Sequence, residues 1–160
     1  MKEALSLSPL ASEDVPFLTG TGYEAMPEKA KQKMLSDSQA KQYADGNYFE
    51  VFTLRDGTDV IGFVSLYSKE PGFVSIGLDI REQYRRRGFA TRSAEPIAEL
   101  LAEKGFSVIR NTVRTDNKAS VLLHEKLGFT LTDQYTTDKG RNVYVFEKAI
   151  PENKQLIGEA

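Results

Sequence analysis

Between Phe73 and Lys104 the chain reads as a strand, a basic turn and a helix, an order that implies a crossover and an α/β sheet. The strand is the apolar run Phe73 to Ile80, and the helix covers Ala90 to Lys104. The turn is Arg85-Arg86-Arg87-Gly88-Phe89-Ala90-Thr91. Its N–H groups and the first unpaired donors of the helix converge on one spot, and the helix dipole favours an anion there. Gly88 lets a ligand approach the backbone closely because it has no Cβ. Arginines can add paired contacts to phosphate oxygens. On these residues alone, a phosphate cradle and a plain exposed basic turn both remain open.

Composition narrows the chemistry. At 160 residues the chain is long enough for one domain with a real core. Net charge is −2, so the three arginines are a local feature and not part of a basic face of the kind duplex nucleic acid requires. There is no cysteine, which excludes disulfides, thiolate nucleophiles and Cys-based zinc sites. His124 is the only histidine, which excludes a multi-histidine metal site. No run is long enough for a membrane span, and Met1-Lys2-Glu3-Ala4 lacks the apolar core of a signal peptide. A soluble cytoplasmic protein, without membrane or nucleic-acid partners, is the expectation.

Along the chain, Ala4 to Leu10 suits a first strand, and Ser12-Glu13-Asp14 with Val15 to Leu18 a capped short helix. Glu28 to Tyr43 suits an amphipathic surface helix. Tyr48 to Leu54 and Val60 to Tyr67 flank the hairpin signal Arg55-Asp56-Gly57-Thr58, and with Phe73 to Ile80 they form an antiparallel meander. Pro96 predicts a kink or restart near Glu95, and Gly105 a helix stop. Ser107 to Thr115 is a β-branched strand expected to run parallel to Phe73–Ile80. Asp116 or Asn117 caps a short helix to Leu127, ended by Gly128. Phe129 to Thr136 and Arg141 to Lys148 form a closing hairpin around Asp138-Lys139-Gly140. Residues 1–150 are read as one domain and 151–160 as a polar, frayed tail.

A second segment, Asn117-Lys118-Ala119-Ser120-Val121-Leu122-Leu123-His124-Glu125-Lys126-Leu127-Gly128-Phe129, places Asn117, Ser120 and His124 on one helix face. Alone, that stripe is also compatible with an ordinary wet face. Taken with the Arg-x-x-Gly-x-Ala turn and the strand between them, it resembles the GNAT superfamily of acetyl-CoA-dependent N-acetyltransferases. The turn is similar to that family's pyrophosphate signature, and Leu127-Gly128-Phe129 to the end of its later helix. The likeness is strongest from Val60 to Phe129. Leu7, Pro9, Leu10 and Asp14 resemble the opening of members that acetylate ribosomal-protein N-termini, and the stretch from Leu123 to Phe129 resembles the phosphinothricin type.

The resemblance implies a mixed, mostly antiparallel sheet of about six or seven strands flanked by about four helices. It also implies a splay between the strands at 73–80 and 107–115. Arg85, Arg86, Arg87, Gly88, Phe89, Ala90 and Thr91 are then expected to bind the pyrophosphate of acetyl-CoA, mostly through N–H groups. Leu78, Asp79 and Ile80 are expected to bond the pantetheine arm through the main chain, with Asn117 near the thioester region and Ser120 in support. The acceptor, a primary amine, is expected between the Val15–Tyr43 region and the Tyr135–Arg141 loop. Glu24 and Glu28 there would attract a cation, but Lys29, Lys31 and Lys33 follow at once.

The implied reaction is direct attack of the amine on the thioester in a ternary complex, with no covalent enzyme intermediate. Many members carry a tyrosine acid where this chain has His124, and some a glutamate base near the place of Thr112; this chain has neither. Histidine titrates near neutral pH, so His124 is the candidate acid, or else a CoA contact. Tyr67, Tyr84 and Tyr144 are fallback donors, and no side chain stands out as a base. Transfer of a longer acyl group, a CoA-binding regulatory module without turnover, and a nucleotide or RNA binder remain as alternatives. Monomer and homodimer are both compatible with the sequence.

Overall fold

The structure, a computed structural model, describes residues 4–151. Met1 to Glu3 and all but the first residue of the expected tail lie outside the described residues. The strands, in chain order, are β1 (Ser6–Pro9), β2 (Tyr48–Asp56), β3 (Asp59–Ser68), β4 (Phe73–Ile80), β5 (Val108–Arg114), β6 (Thr130–Thr136) and β7 (Asn142–Ala149). The helices are α1 (Glu28–Ala40), α2 (Phe89–Glu103) and α3 (Lys118–Lys126), with 3-10 turns at Ser12–Leu18 and Glu82–Tyr84. The sheet order is β1-β2-β3-β4-β5-β7-β6. The described chain forms two compact units, one of residues 4–69 with Ile76–Ile97, the other of Glu70–Ser75 with residues 98–151. β4 and α2 each contribute to both.

In the first unit, β1 pairs antiparallel with β2, and β2 with β3 through a two-residue turn whose Gly57 has φ +61°. Every residue from Glu50 to Leu54 and from Val60 to Val64 is buried, which requires cover on both faces of these strands. One apolar cluster gathers Leu10, Val15, Leu18, Met34, Leu35, Val51, Val60 and Phe63, and another Leu5, Leu54, Ile61 and Phe89. Burying a side chain such as Leu18 or Phe63 completely contributes about 2–3 kcal/mol.

The 3-10 turn at Ser12–Leu18 is tied down by a buried carboxylate. Asp14 accepts the Ala11 N–H (3.1 Å) and the Thr53 hydroxyl (2.9 Å) and pairs with Arg55. Arg55 in turn donates to Ser8 Oγ at 2.6 Å. The helix expected to reach Tyr43 stops at Ala40, because Lys41 turns left-handed at φ 56°. The N–H groups of Lys41 and Gln42 then close on the carbonyls of Ser38 and Asp37.

α2 runs through Pro96 without the break that proline predicts. Proline has no N–H to add to the helix ladder, and the bonds on either side of Pro96 hold the helix. The helix ends at the expected glycine. Gly105 has φ +85°, its N–H reaches the Ala102 carbonyl (3.0 Å), and that of Phe106 reaches Leu101 (3.1 Å).

In the second unit, β5 pairs antiparallel with β7, and β7 with β6. The parallel register of β4 with β5 comprises Phe73 opposite Val108 and Val74 opposite Ile109, with no further pair among the described residues. Arg110 secures that short ladder. Its guanidinium bonds Glu147 (2.6 Å) and Glu70 (2.8 Å) and lies 4.0 Å from the Phe73 ring centroid.

Candidate active site

The basic turn lies in the first unit. The 3-10 turn Glu82–Tyr84 ends β4's run, and the chain then takes two left-handed residues in three, Arg86 at φ 61° and Gly88 at φ 82°. Such alternation curls successive N–H groups inward, a shape that suits an anion. The Gly88 carbonyl accepts the Arg92 N–H at 3.0 Å, so α2 begins immediately after it. Helix geometry leaves the N–H groups of Phe89, Ala90 and Thr91 without acceptors in the helix. A Cβ built on Gly88 meets nothing within 4 Å, so the space over the turn is open. Main-chain donors beside such an opening suit a phosphate group.

The arginine side chains divide their work. Arg87 lies over the rings of Tyr84 (5.6 Å) and Phe89 (5.4 Å), whose edges meet at 5.8 Å between centroids. Arg85 turns back onto the protein. Its Nε donates to the Ile80 carbonyl (2.8 Å), and its terminal nitrogen lies 3.4 Å from the Gly20 carbonyl and 3.5 Å from Asp79.

Leu78, Asp79 and Ile80 lead into the turn. Leu78 and Ile80 pack against the cluster of Leu5, Leu54, Ile61 and Phe89. β3 comes very close here: a Cβ on Gly62 would be 2.3 Å from the Asp79 carbonyl, so only glycine fits. The Asp79 carboxylate accepts the Gly22 N–H at 2.7 Å and holds the Gly20–Gly22 segment against the end of β4.

Asn117, Ser120 and His124 are on α3 in the second unit. Asn117 caps the helix, its Oδ1 accepting the Ser120 N–H at 3.2 Å, which leaves its amide nitrogen as the group available to a ligand. His124 is half-buried, stacked on Phe146 at 5.3 Å between centroids and edge-on to Phe129 at 4.8 Å. Its Nδ1 is 2.8 Å from the Ser120 carbonyl, which can only accept, so Nδ1 carries the proton. Nε2 of the neutral ring then accepts from Asn111 Nδ2 at 3.1 Å. Both ring nitrogens therefore have protein partners.

Asn111 was not among the residues the sequence singled out. It is buried between Ile109 and Val113, at the alternate positions of β5, and its Oδ1 lies 3.3 Å from the hydroxyl of exposed Ser75. An amide on the buried face of a β-branched strand was the available signal, since a buried amide must be hydrogen-bonded. Among the other tyrosines, Tyr67 donates to Asp45 and accepts from Asn47 (3.0 Å), and Tyr144 meets Phe146 edge-on. The bond to Asp45 raises the Tyr67 phenol above its ordinary value. Among the described residues, no helix is long and apolar enough to cross a membrane, and no group of three acidic or histidine side chains is placed to hold a metal.

The family model of the acetyltransferase (GNAT) domain matches residues 5–130. Comparison with curated protein sequences gives no match. Among solved structures, RimL, a ribosomal L7/L12 alpha-N-protein acetyltransferase in complex with coenzyme A, aligns with a TM-score of 0.73 at 16% identity, over 92% of this chain and 94% of that one. An acetyltransferase from Salmonella typhimurium that modifies the N-terminal serine of ribosomal protein L7/L12 gives 0.74 at 17% identity, over 92% and 96%. A variant of spermidine N-acetyltransferase SpeG from Vibrio cholerae gives 0.71 at 16% identity, over 98% of both chains. These alignments show a shared fold, and the family match spans most of the described residues. The chain belongs to the GNAT acetyltransferase family.

Proposed function

We propose that this protein transfers an acetyl group from acetyl-CoA to a primary amine, a small molecule or a protein N-terminus, by direct attack in a ternary complex. The observation that carries this reading is the turn before α2, with Arg86 and Gly88 left-handed and open space above Gly88. Arg86 to Thr91 bind the pyrophosphate through N–H groups, and Arg87 adds charge from its place over Tyr84 and Phe89. The main chain of Leu78, Asp79 and Ile80 orients the pantetheine arm, and an N–H there faces the charge that develops on the thioester oxygen. The amine loses its proton to solvent water. Two of the similar structures act on a protein N-terminus and on spermidine, both primary amines. That agreement supports the acceptor class, and a cytoplasmic setting suits either acceptor.

His124 acts through its neighbours in this reading. With Nδ1 held by Ser120 and Nε2 by Asn111, it orients Asn111 and, through it, the Ser75 hydroxyl. Asn117 and Ser120 fix the start of α3, where the Asn117 Oδ1 accepts the Ser120 N–H. Those commitments of His124 also favour a second reading, a CoA-binding module without turnover. Thiol release on mixing with acetyl-CoA and a panel containing spermidine, an N-terminal-serine peptide and small amines separates the two. Gly88→Glu places a carboxylate in the open space and is expected to abolish CoA binding while the far-UV spectrum is unchanged. Unaltered CoA affinity in that variant would falsify the placement of the pyrophosphate.

A further inference from the structure

Tyr23 follows the Gly20–Gly22 segment, which is fastened to the end of β4 by the Gly22 bond to Asp79 and by the Glu82 N–H bond to the Gly20 carbonyl (2.8 Å). Its ring is partly buried and meets Phe63 edge-on, 6.5 Å between centroids at 87°. Its hydroxyl is hydrogen-bonded to the hydroxyl of Ser65, two residues after Phe63 on β3. Ser65 Oγ in turn lies over β4 at Gly77, where a Cβ would be only 2.7 Å away. A glycine within a strand marks a place where something approaches the backbone closely. The phenol is thus the polar tip of an apolar cluster, delivered to a bare stretch of β4 one residue before Leu78. All these residues lie in the first unit, as do the basic turn and Leu78 to Ile80.

We propose that the Tyr23 hydroxyl is a catalytic hydrogen-bond donor to the thioester oxygen of acetyl-CoA, with Ser65 as the residue that positions it. The proposal rests on the acetyltransferase reading above. As the amine attacks, negative charge builds on that oxygen, and a donor already fixed in direction stabilises the charge without reorganising. Tyr23 keeps its proton throughout; the hydrogen bond strengthens and no bond to hydrogen breaks. Burial pushes the Tyr23 phenol above its ordinary value and the nearby Asp79 carboxylate adds to the rise, while the Ser65 bond works the other way. The group therefore stays protonated across working pH, as a donor must. Phe63 and the Gly22–Asp79 bond restrict the ring, so the direction of the hydroxyl is set before substrate arrives.

Tyr23→Phe keeps the ring and removes only the donor. The test compares it with the parent protein by equilibrium titration with CoA, by turnover of the best amine in the panel, and by infrared spectra of bound acetyl-CoA labelled with carbon-13 at the thioester carbonyl. The expected result is unchanged CoA affinity, a kcat lower by about a hundredfold, and a carbonyl band that moves to higher frequency in the variant. Ser65→Ala is expected to give a smaller loss, and no additional loss when combined with Tyr23→Phe, because it acts only through the phenol. A carbonyl band at the same frequency in parent and variant overturns the proposal, as does a change in kcat of less than about twofold. The infrared measurement needs no amine, so the outcome stands even if no acceptor in the panel is turned over. If Tyr23→Phe does not fold, Ser65→Ala with the same two readouts decides. Failure of the parent protein to bind CoA removes the underlying reading itself and is distinguished by the titration alone.

Discussion

At the scale of single residues, the buried polar groups carry the sharpest expectations. Asp14 is almost fully buried with three protein partners, so Asp14→Ala leaves Arg55 without its carboxylate. The loss is expected to be about 3 kcal/mol, read from the urea midpoint. His124→Phe preserves the stack on Phe146 but leaves the buried Asn111 amide without its ring partner. It should cost about 1–3 kcal/mol of stability with CoA affinity intact. Asp45 is different because it is exposed. The Tyr67 hydroxyl and the Asn47 N–H hold its carboxyl below the ordinary aspartate value. The folded state therefore binds this proton less readily than the unfolded chain, and the gain is present above the unfolded value and lost as pH falls through the folded one. Asp45→Asn should flatten that acid limb slightly in urea titrations run at falling pH, and an unchanged limb would show the carboxylate to be uncoupled from folding.

Elements show where reading a sequence works and where it stops. β4 was bounded correctly from its apolar run, and Gly105 and Asn117 marked a helix end and a helix start through the chemistry that makes glycine and asparagine suited to those places. The end of α1 was illegible because the left-handed residue is a lysine. No rule of composition announces that Lys41 will adopt φ 56°, a conformation that costs an ordinary residue about 1 kcal/mol. Lys41→Gly should relieve that cost and raise stability by roughly 0.5–1 kcal/mol, measured from the denaturation midpoint. The tyrosine beside Ser65 was equally hidden. Tyr23 reaches β3 only because the segment before α1 folds onto Asp79, a pairing 57 positions apart in the chain. Helix and turn signals are local, and contacts of that kind are not.

For the molecule as a whole, the family and its sheet could be read from two motifs and the strand between them, because the order of elements admits few arrangements. The partition of the chain into units could not. The second unit takes Glu70–Ser75 from ahead of its main segment, and that insertion supplies both β4 residues that pair with β5. A fragment of residues 98–160 therefore lacks the parallel β4 partner of β5 and the ring beneath Arg110. It should show little ordered structure by circular dichroism; a cooperative melt of that fragment would contradict this account.

Arg85 has a kinetic corollary. Its Nε already donates to the Ile80 carbonyl, an oxygen to which an amide N–H of the pantetheine arm would otherwise donate. On the proposed placement of CoA, cofactor and side chain would compete for one acceptor, and capture would proceed by a fast encounter at the turn followed by displacement of the guanidinium. In stopped-flow records the observed rate should level off at high CoA, and Arg85→Ala should restore a linear dependence.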